Sequence, residues 1–306
     1  MSLISLIKGR GGASGFGFAS TAEEVTEGLD LSGTTVLITG VNSGLGQETA
    51  RVLSMRGARI LGAARTTEKA EAACAALGHD AVAFVCDLAE PDSVRACVET
   101  VARSGFTIDA LIANAGIMAV PDRRIRHGQE LHFLTNHVGH FMLVTGLLDR
   151  LGEDARVVML SSGAHGWAPE GGIRFDDLAF ESGYTKNAAY GQSKLANLLF
   201  AKSLARRFAG TGRTANAVHP GVIHTNLWRH LPGPVRLVGP LISAVGMKSV
   251  PQGASTQCYV AVHPDVAGVT GEYFSDCNLA KSSRYSRDEA LGDRLWTRTE
   301  EIVAAL

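Results

Sequence analysis

The sequence predicts an α/β fold, a doubly wound parallel sheet of seven strands in a single domain, and three observations predict it. Short apolar runs alternate with amphipathic helical stretches from residue 34 onward, the signature of βαβ units. A glycine-rich segment follows the first apolar run directly. No shift in composition separates a second domain, so residues 33–306 form one unit behind an arm of residues 1–32.

The strands follow in order. TTVLIT (34–39), RILGAA (59–64), AVAFVC (81–86) and IDALIA (108–113) come first, then ARVVMLS (155–161), TANAV (214–218) and GEYFS (271–275). Helical periods fill the gaps: 48–57, 68–78, 93–105, a long segment over 128–150, and 190–208. The arm, with its GGASGFGFAS stretch, has no period and reads as flexible or draped over the surface. Residues 226–250, rich in Pro, Gly and apolar side chains, read as an excursion from the sheet that serves as a substrate loop.

Composition removes several classes of function. A net charge of -1 gives no basic excess for a nucleic-acid partner. Cys74, Cys86, Cys97, Cys258 and Cys277 are odd in number, widely spaced and set in apolar segments, which suits a reduced chain. The apolar residues 1–7 are too short to span a bilayer, and Lys8 and Arg10 follow them where a signal peptide places its charges first. The expectation is a cytoplasmic protein with no transmembrane segment. His132, His137 and His140 cluster without a carboxylate pattern, so core packing or local hydrogen bonding is expected of them and no metal site.

The chemistry begins at Gly40-Val41-Asn42-Ser43-Gly44-Leu45-Gly46, a G-x-x-x-G-x-G turn between a strand and a helix. Gly40 lets the chain turn sharply, while Gly44 and Gly46 let backbone approach a pyrophosphate at a positive helix N-terminus. At the end of the second strand a carboxylate would accept the ribose 2′-OH of NAD, whereas an Arg pairs with the 2′-phosphate of NADP. Arg65 stands there, and the expected cofactor is NADP, with NAD less favoured. Asp87 and Leu88 end the third strand and Asn114, Ala115 and Gly116 the fourth, at the sheet edge where doubly wound folds bind ligands. Asp87 is placed either to accept from an adenine amino group or to cap a helix.

Tyr190 and Lys194 lie four apart on one helix, so both side chains project from one face. An ammonium beside a phenol biases it toward phenolate, lowering a free pKa of about 10 and making a proton donor and acceptor near neutrality. Upstream, an apolar strand ends in Ser161 and Ser162. Alternation along the strand selects Ser162 as the hydroxyl that faces Tyr190.

Taken in order, Gly40 to Gly46, Asn114-Ala-Gly116, Ser162 and Tyr190-x-x-x-Lys194 resemble the short-chain dehydrogenase/reductase superfamily over roughly residues 33–290. The segments Asn136-His137-Val-Gly-His140-Phe141, Tyr190-Gly-Gln-Ser-Lys194-Leu-Ala-Asn197 and Gly271-Glu-Tyr-Phe-Ser-Asp276-Cys277 resemble its retinol-dehydrogenase-like branch. The resemblance implies a Rossmann fold and hydride exchange between a nicotinamide and an alcohol or carbonyl compound. It further implies that Tyr190 moves the proton, Ser162 holds the oxygen, Lys194 binds the nicotinamide ribose, and Asn136 holds a water that links Lys194 to solvent. His219, Pro220, Gly221, Val222 and Thr225 would lie under the nicotinamide and its carboxamide. Asn42, Ser43 and Leu45 would join the glycines around the phosphates.

Two other readings compete with this one. An NADP-binding redox sensor without turnover has no need of the phenol or the serine; an NAD-linked dehydrogenase of bulky substrates needs more room than the region after Gly271 leaves. Leu231, Val235, Leu237, Leu241 and Ile242 in the excursion suit a hydrophobic substrate, and equally a homo-oligomer contact or a membrane-surface patch.

Overall fold

The computed structural model describes residues 11–78, 80–223 and 247–306. Its central sheet runs in the order β10-β9-β8-β7-β4-β1-β2-β3. The members are β1 (Thr35–Thr39), β2 (Arg59–Ala64), β3 (Val82–Val85), β4 (Ile108–Ala113), β7 (Leu151–Leu160), β8 (Thr214–His219), β9 (Tyr273–Ser275) and β10 (Asn278–Leu279). All pairings are parallel except β9 with β10. β1 is buried at every position because both faces are covered, which is why it reads as a continuous apolar run.

Side-chain alternation along β1 divides the core in two. Leu37 points into a cluster that also holds Val94 and Val101 of α3 (Pro91–Arg103), Leu198 of α5 (Lys186–Arg207) and Trp296 of α7 (Glu289–Ala305). Val36 and Ile38 point the other way, onto Val52 of α1 (Gly44–Met55) and Cys258 of α6 (Val250–Val262). Residues 11–32 lie against this second face: Ala22 and Val25 are buried, and the Phe16 ring meets Tyr259 edge-on at 5.7 Å. α2 (Thr67–Ala75) and α4 (Gly139–Gly146) complete the helices that flank the sheet.

Seven strands were expected, and all seven are present; the eighth is β10. It pairs back on β9 through Asp276 and Cys277, both left-handed at φ 53° and 61°. Two consecutive positive φ values define the hairpin turn that matches strand twist, but without the usual glycine the sequence hid it. The long helix expected over 128–150 is also revised. Gly128 (φ 73°) turns a small hairpin of β5 (Ile125–Arg126) and β6 (Gln129–Glu130), and the helical part opens as a π-helix over Phe133–Val138 before continuing as α4. Neither α6 nor α7 was anticipated. Yet Ser249 and Gln252 form a reciprocal capping box at the start of α6, so the excursion ends at Ser249 rather than 250.

Candidate active site

Strand order reverses between β1 and its two neighbours, β2 on one side and β4 on the other. A crevice therefore opens at their C-terminal ends, where the glycine turn and Asn114 emerge. Gly40 (φ 75°) and Gly44 (φ 58°) occupy backbone that favours glycine. A Cβ on Gly46 would fall 2.3 Å from the Gly40 carbonyl oxygen and 2.5 Å from Asn114 Nδ2, so any side chain there would push the turn off the sheet.

This cradle fits a dinucleotide. Ser43 stands at the N-cap of α1 without a side-chain hydrogen bond, the first turn holds no acid, and nothing lies within 4 Å of the space a Cβ on Gly44 would enter. The first N–H groups of a twelve-residue helix thus face open space with a positive end, the setting in which a pyrophosphate binds. Asn42, Ser43 and Leu45 line the turn, half-buried or exposed. Arg65, directly after β2, is exposed and forms no hydrogen bond or ion pair among the described residues. Asp87 does not cap a helix: α3 begins at a Glu90 N-cap, and Asp87 Oδ1 accepts from Ala89 N–H at 3.0 Å within the turn after β3. Leu88 is buried, and its carbonyl lies 2.3 Å from where a Cβ on Gly139 would fall, so it sets the packing of α4.

A buried polar chain joins this cradle to the helices beyond it. Asn114 Nδ2 donates to the Thr39 carbonyl at 2.8 Å, and Ala115 N–H donates to Thr39 Oγ1 at 2.9 Å. Thr39 Oγ1 lies 2.9 Å from His140 Nε2, whose other nitrogen, Nδ1, donates to the Asn136 carbonyl at 2.9 Å. Complete burial holds His140 at about 4, so it is neutral and its tautomer is set by these two partners. His132 likewise spends a ring nitrogen on a local hydrogen bond to Glu130, and His137 on one to Thr299 of α7. Asn114, Ala115 and Asn136 stand out in the sequence as site residues and His140 as a hydrogen-bonding histidine, but the links that join them through Thr39 do not.

Tyr190, Lys194 and Ser162 meet where α5 crosses the end of β7. Thr185 caps α5 by accepting from Ala188 N–H at 3.1 Å, which fixes the helix start at Lys186, four residues before the expected start at Tyr190. Lys194 Nζ donates to the Leu160 carbonyl at 2.9 Å and lies 5.8 Å from the Tyr190 ring centroid. The Ser162 hydroxyl acts on the Tyr190 phenol as a neighbour that lowers its pKa, whereas Ser161 Oγ turns inward and donates to the Lys194 carbonyl at 2.8 Å. The two adjacent serines thus engage different partners. Gly191, which carries no role of its own in the sequence motif, permits this approach: a Cβ there would lie 2.7 Å from the Trp167 backbone and 2.8 Å from the Ala164 carbonyl. A glycine in the middle of a 22-residue helix was the available signal.

The electrostatics differ from expectation in one respect. Burial pushes the Tyr190 phenol above its ordinary value, opposed by the Ser162 hydrogen bond, and burial lowers Lys194 to about 8. At this separation desolvation outweighs the attraction of the ammonium for a phenolate, so the protein by itself holds Tyr190 as a neutral proton donor.

Asn136 sits in the π-helix, where a widened turn frees backbone groups. Its Oδ1 accepts from Ile117 N–H at 2.8 Å, and its Nδ2 donates to the Ile117 carbonyl at 3.0 Å and to Ser193 Oγ at 2.9 Å. The side chain is therefore engaged, and the carbonyl's second lone pair is what a water would use. Gly116 lets all of this close: a Cβ there would meet Asn136 Oδ1 at 3.0 Å and Lys194 Nζ at 3.5 Å. Pro220 is buried, Gly221 turns at φ 93° and Val222 is exposed beside the β8 end. Thr225 and the apolar residues 231–242 of the excursion lie outside the described residues.

A phosphate-binding cradle at the strand-order reversal, with a Tyr, Lys and Ser set at the same sheet edge, defines a dinucleotide-dependent oxidoreductase. The family model described as short chain dehydrogenase matches residues 34–173. The chain is 42% identical over its whole length to the Short-chain dehydrogenase TIC 32 B, chloroplastic, of Brassica napus, all of which is covered. It is 39% identical to human Retinol dehydrogenase 14 across 90% of this chain and 88% of that protein. Among solved structures, a putative uncharacterized protein from Mycobacterium Paratuberculosis superposes with a TM-score of 0.74 at 35% identity, covering 92% of this chain and 97% of that one. A short chain dehydrogenase from Burkholderia cenocepacia in complex with NADP gives 0.64 at 25% identity, covering 80% and 97%. The chain belongs to the short-chain dehydrogenase/reductase family, in its retinol-dehydrogenase-like branch, and is an NAD(P)-dependent oxidoreductase acting on CH–OH or C=O groups.

Proposed function

We propose that this chain is an NADP-dependent carbonyl reductase or alcohol dehydrogenase of hydrophobic small molecules. The observation that carries the reading is the Tyr190 phenol facing the Ser162 hydroxyl, with the Lys194 ammonium 5.8 Å from its ring, at the sheet edge that also holds the glycine cradle. The bound nicotinamide supplies or accepts the hydride. Ser162 holds the substrate oxygen against Tyr190, which gives its proton to that oxygen in reduction and takes it back in oxidation. Lys194 fixes the cofactor ribose and, through a water on the Asn136 carbonyl, restores the proton to Tyr190. Gly40, Gly44 and Gly46 carry the phosphates, Asp87 is placed to receive the adenine amino group on its second oxygen, and Pro220 to Val222 back the nicotinamide.

Arg65 supports NADP over NAD: a cation with no protein partner among the described residues awaits the position of a 2′-phosphate. The solved NADP complex of a related dehydrogenase is consistent with this. Replacing Arg65 by Ala is expected to raise the KM for NADPH by about ten- to a hundredfold, the value of a charge-assisted phosphate contact, with the KM for NADH little changed. Initial rates with both cofactors check it, and a wild-type preference for NADH would refute the assignment.

The substrate class rests on three exposed apolar side chains. Met118 (47% exposed), Trp167 (57%) and Val222 (61%) stand on the segments that follow β4, β7 and β8. Single exposed apolar residues are ordinary, but three at one sheet edge form a lining for an apolar ligand. A cytoplasmic setting fits the five cysteines, all buried and unpaired. Among the described residues no helix is long and apolar enough to cross a membrane.

A further inference from the structure

The peptide that follows the Ser162 side chain is gripped from both sides. Its carbonyl, that of Ser162, accepts from His165 Nδ1 at 2.6 Å. Its N–H, that of Gly163, donates to His219 Nδ1 at 3.1 Å. His165 is locked in turn, because its Nε2 accepts from Ser283 N–H at 3.0 Å and its ring meets Tyr273 edge-on at 5.1 Å. His219 Nδ1 also receives Gly221 N–H at 3.4 Å. The His219 imidazole thus touches both the Gly163 N–H, in the peptide next to Ser162, and the loop assigned to the nicotinamide.

We propose that His165 and His219 are positioning residues that clamp the Ser162–Gly163 peptide, aim the Ser162 hydroxyl at the substrate oxygen, and couple it to the Pro220–Val222 loop. The inference rests on the reading of Ser162 and Tyr190 given above. Together the contacts require neutral rings in opposite tautomers: His165 carries its proton on Nδ1 to reach the Ser162 carbonyl while Nε2 accepts from Ser283, and His219 carries its proton on Nε2 so that Nδ1 accepts. Burial supplies the neutrality. It lowers His165 and takes His219 to about 4, where Asp276 opposes the shift and Lys248 and His165 add to it. A protonated His219 would present an N–H to the Gly163 N–H, and the clamp would open. In a peptide without tertiary partners, imidazole prefers its proton on Nε2, so His165 is held in its less favoured form by Ser162 and Ser283.

The test pairs kinetics with a spectroscopic measurement. His219→Leu removes the acceptor, whereas His219→Asn offers an amide oxygen near the same place. The expected result is a kcat for carbonyl reduction lowered about ten- to a hundredfold in His219→Leu, the scale of a misplaced catalytic group, with KM for NADPH changed by only a few-fold. His219→Asn should recover much of that kcat. Wild-type kcat in His219→Leu, or equal losses in the two variants, overturns the clamp. Nitrogen-15 imidazole spectra of the whole wild-type chain at neutral pH read the tautomers without any turnover. Nδ1–H at His165 together with Nε2–H at His219 supports the proposal, and Nε2–H at His165 overturns it. If wild type shows no turnover with any carbonyl, the functional reading fails while these spectra still decide whether the clamp exists.

Discussion

Tyr190→Phe is expected to lower the turnover of this protein by about 10²–10⁴-fold, the range that a positioned proton donor contributes, while NADPH binds almost as before. The substitution removes one oxygen and keeps the ring, so the edge-on contact with His132 at 6.0 Å and the Lys194 ammonium at 5.8 Å persist. Ser162 loses its phenol partner but keeps the acceptance from Ala164 N–H at 3.2 Å that holds its side chain. What disappears is the proton. Fluorescence titration of NADPH and single-turnover reduction separate the two quantities, and near-normal single-turnover rates in the variant would sink the role of Tyr190. The pH profile of wild type adds a sign. Lys194 is a cation below about 8 and loses its charge above, while Tyr190 stays protonated well past neutrality, so reduction should decline as pH rises through that value.

The sheet was legible because buried parallel strands must be apolar throughout, and their runs stand out against the helices between them. Gly40, Gly44, Gly46, Tyr190 and Lys194 were legible for a related reason: close backbone approach and a shared helix face each leave a fixed spacing. β10 was not, because its turn uses Asp276 and Cys277 at left-handed φ where the usual pattern has glycine. The break before Asn136 was hidden too. A π-helix keeps the apolar composition of an α-helix over Phe133–Val138, and only the hydrogen-bonding differs.

The partners of the site residues were the least visible part. His140 reaches Thr39 across 101 positions, and Gln257 reaches Asn114 across 143, at 3.4 Å. Contacts of that separation exist only once the sheet has formed. Tyr190 shows the same limit in its charge state: adjacency to Lys194 was readable, but the burial that outweighs it was not. Local spacing therefore located the site, whereas its electrostatics depended on tertiary packing.

That packing makes Trp296→Ala the substitution expected to cost most in stability. Trp296 lies on α7, 7% exposed, with its ring 4.9 Å from Phe141, 5.4 Å from Phe200 and 3.6 Å from the Arg207 guanidinium. Phe200 and Arg207 belong to α5, the helix of Tyr190 and Lys194, and Phe141 to α4, which continues the turn holding Asn136. Truncating a buried tryptophan costs about 3–5 kcal/mol through lost burial and the cavity left behind, a large part of a domain's total stability. Tm should fall by on the order of 10 °C in calorimetry, and Trp296→Phe, which keeps an aromatic ring in the cluster, should lose less. Below the transition, kcat per folded molecule should stay near wild type, because Trp296 touches none of Ser162, Tyr190 or Lys194. A Tm unchanged in Trp296→Ala would mean that α7 does not hold the catalytic helix in place, and that the Phe141, Phe200 and His137 side of α5 is stable without it.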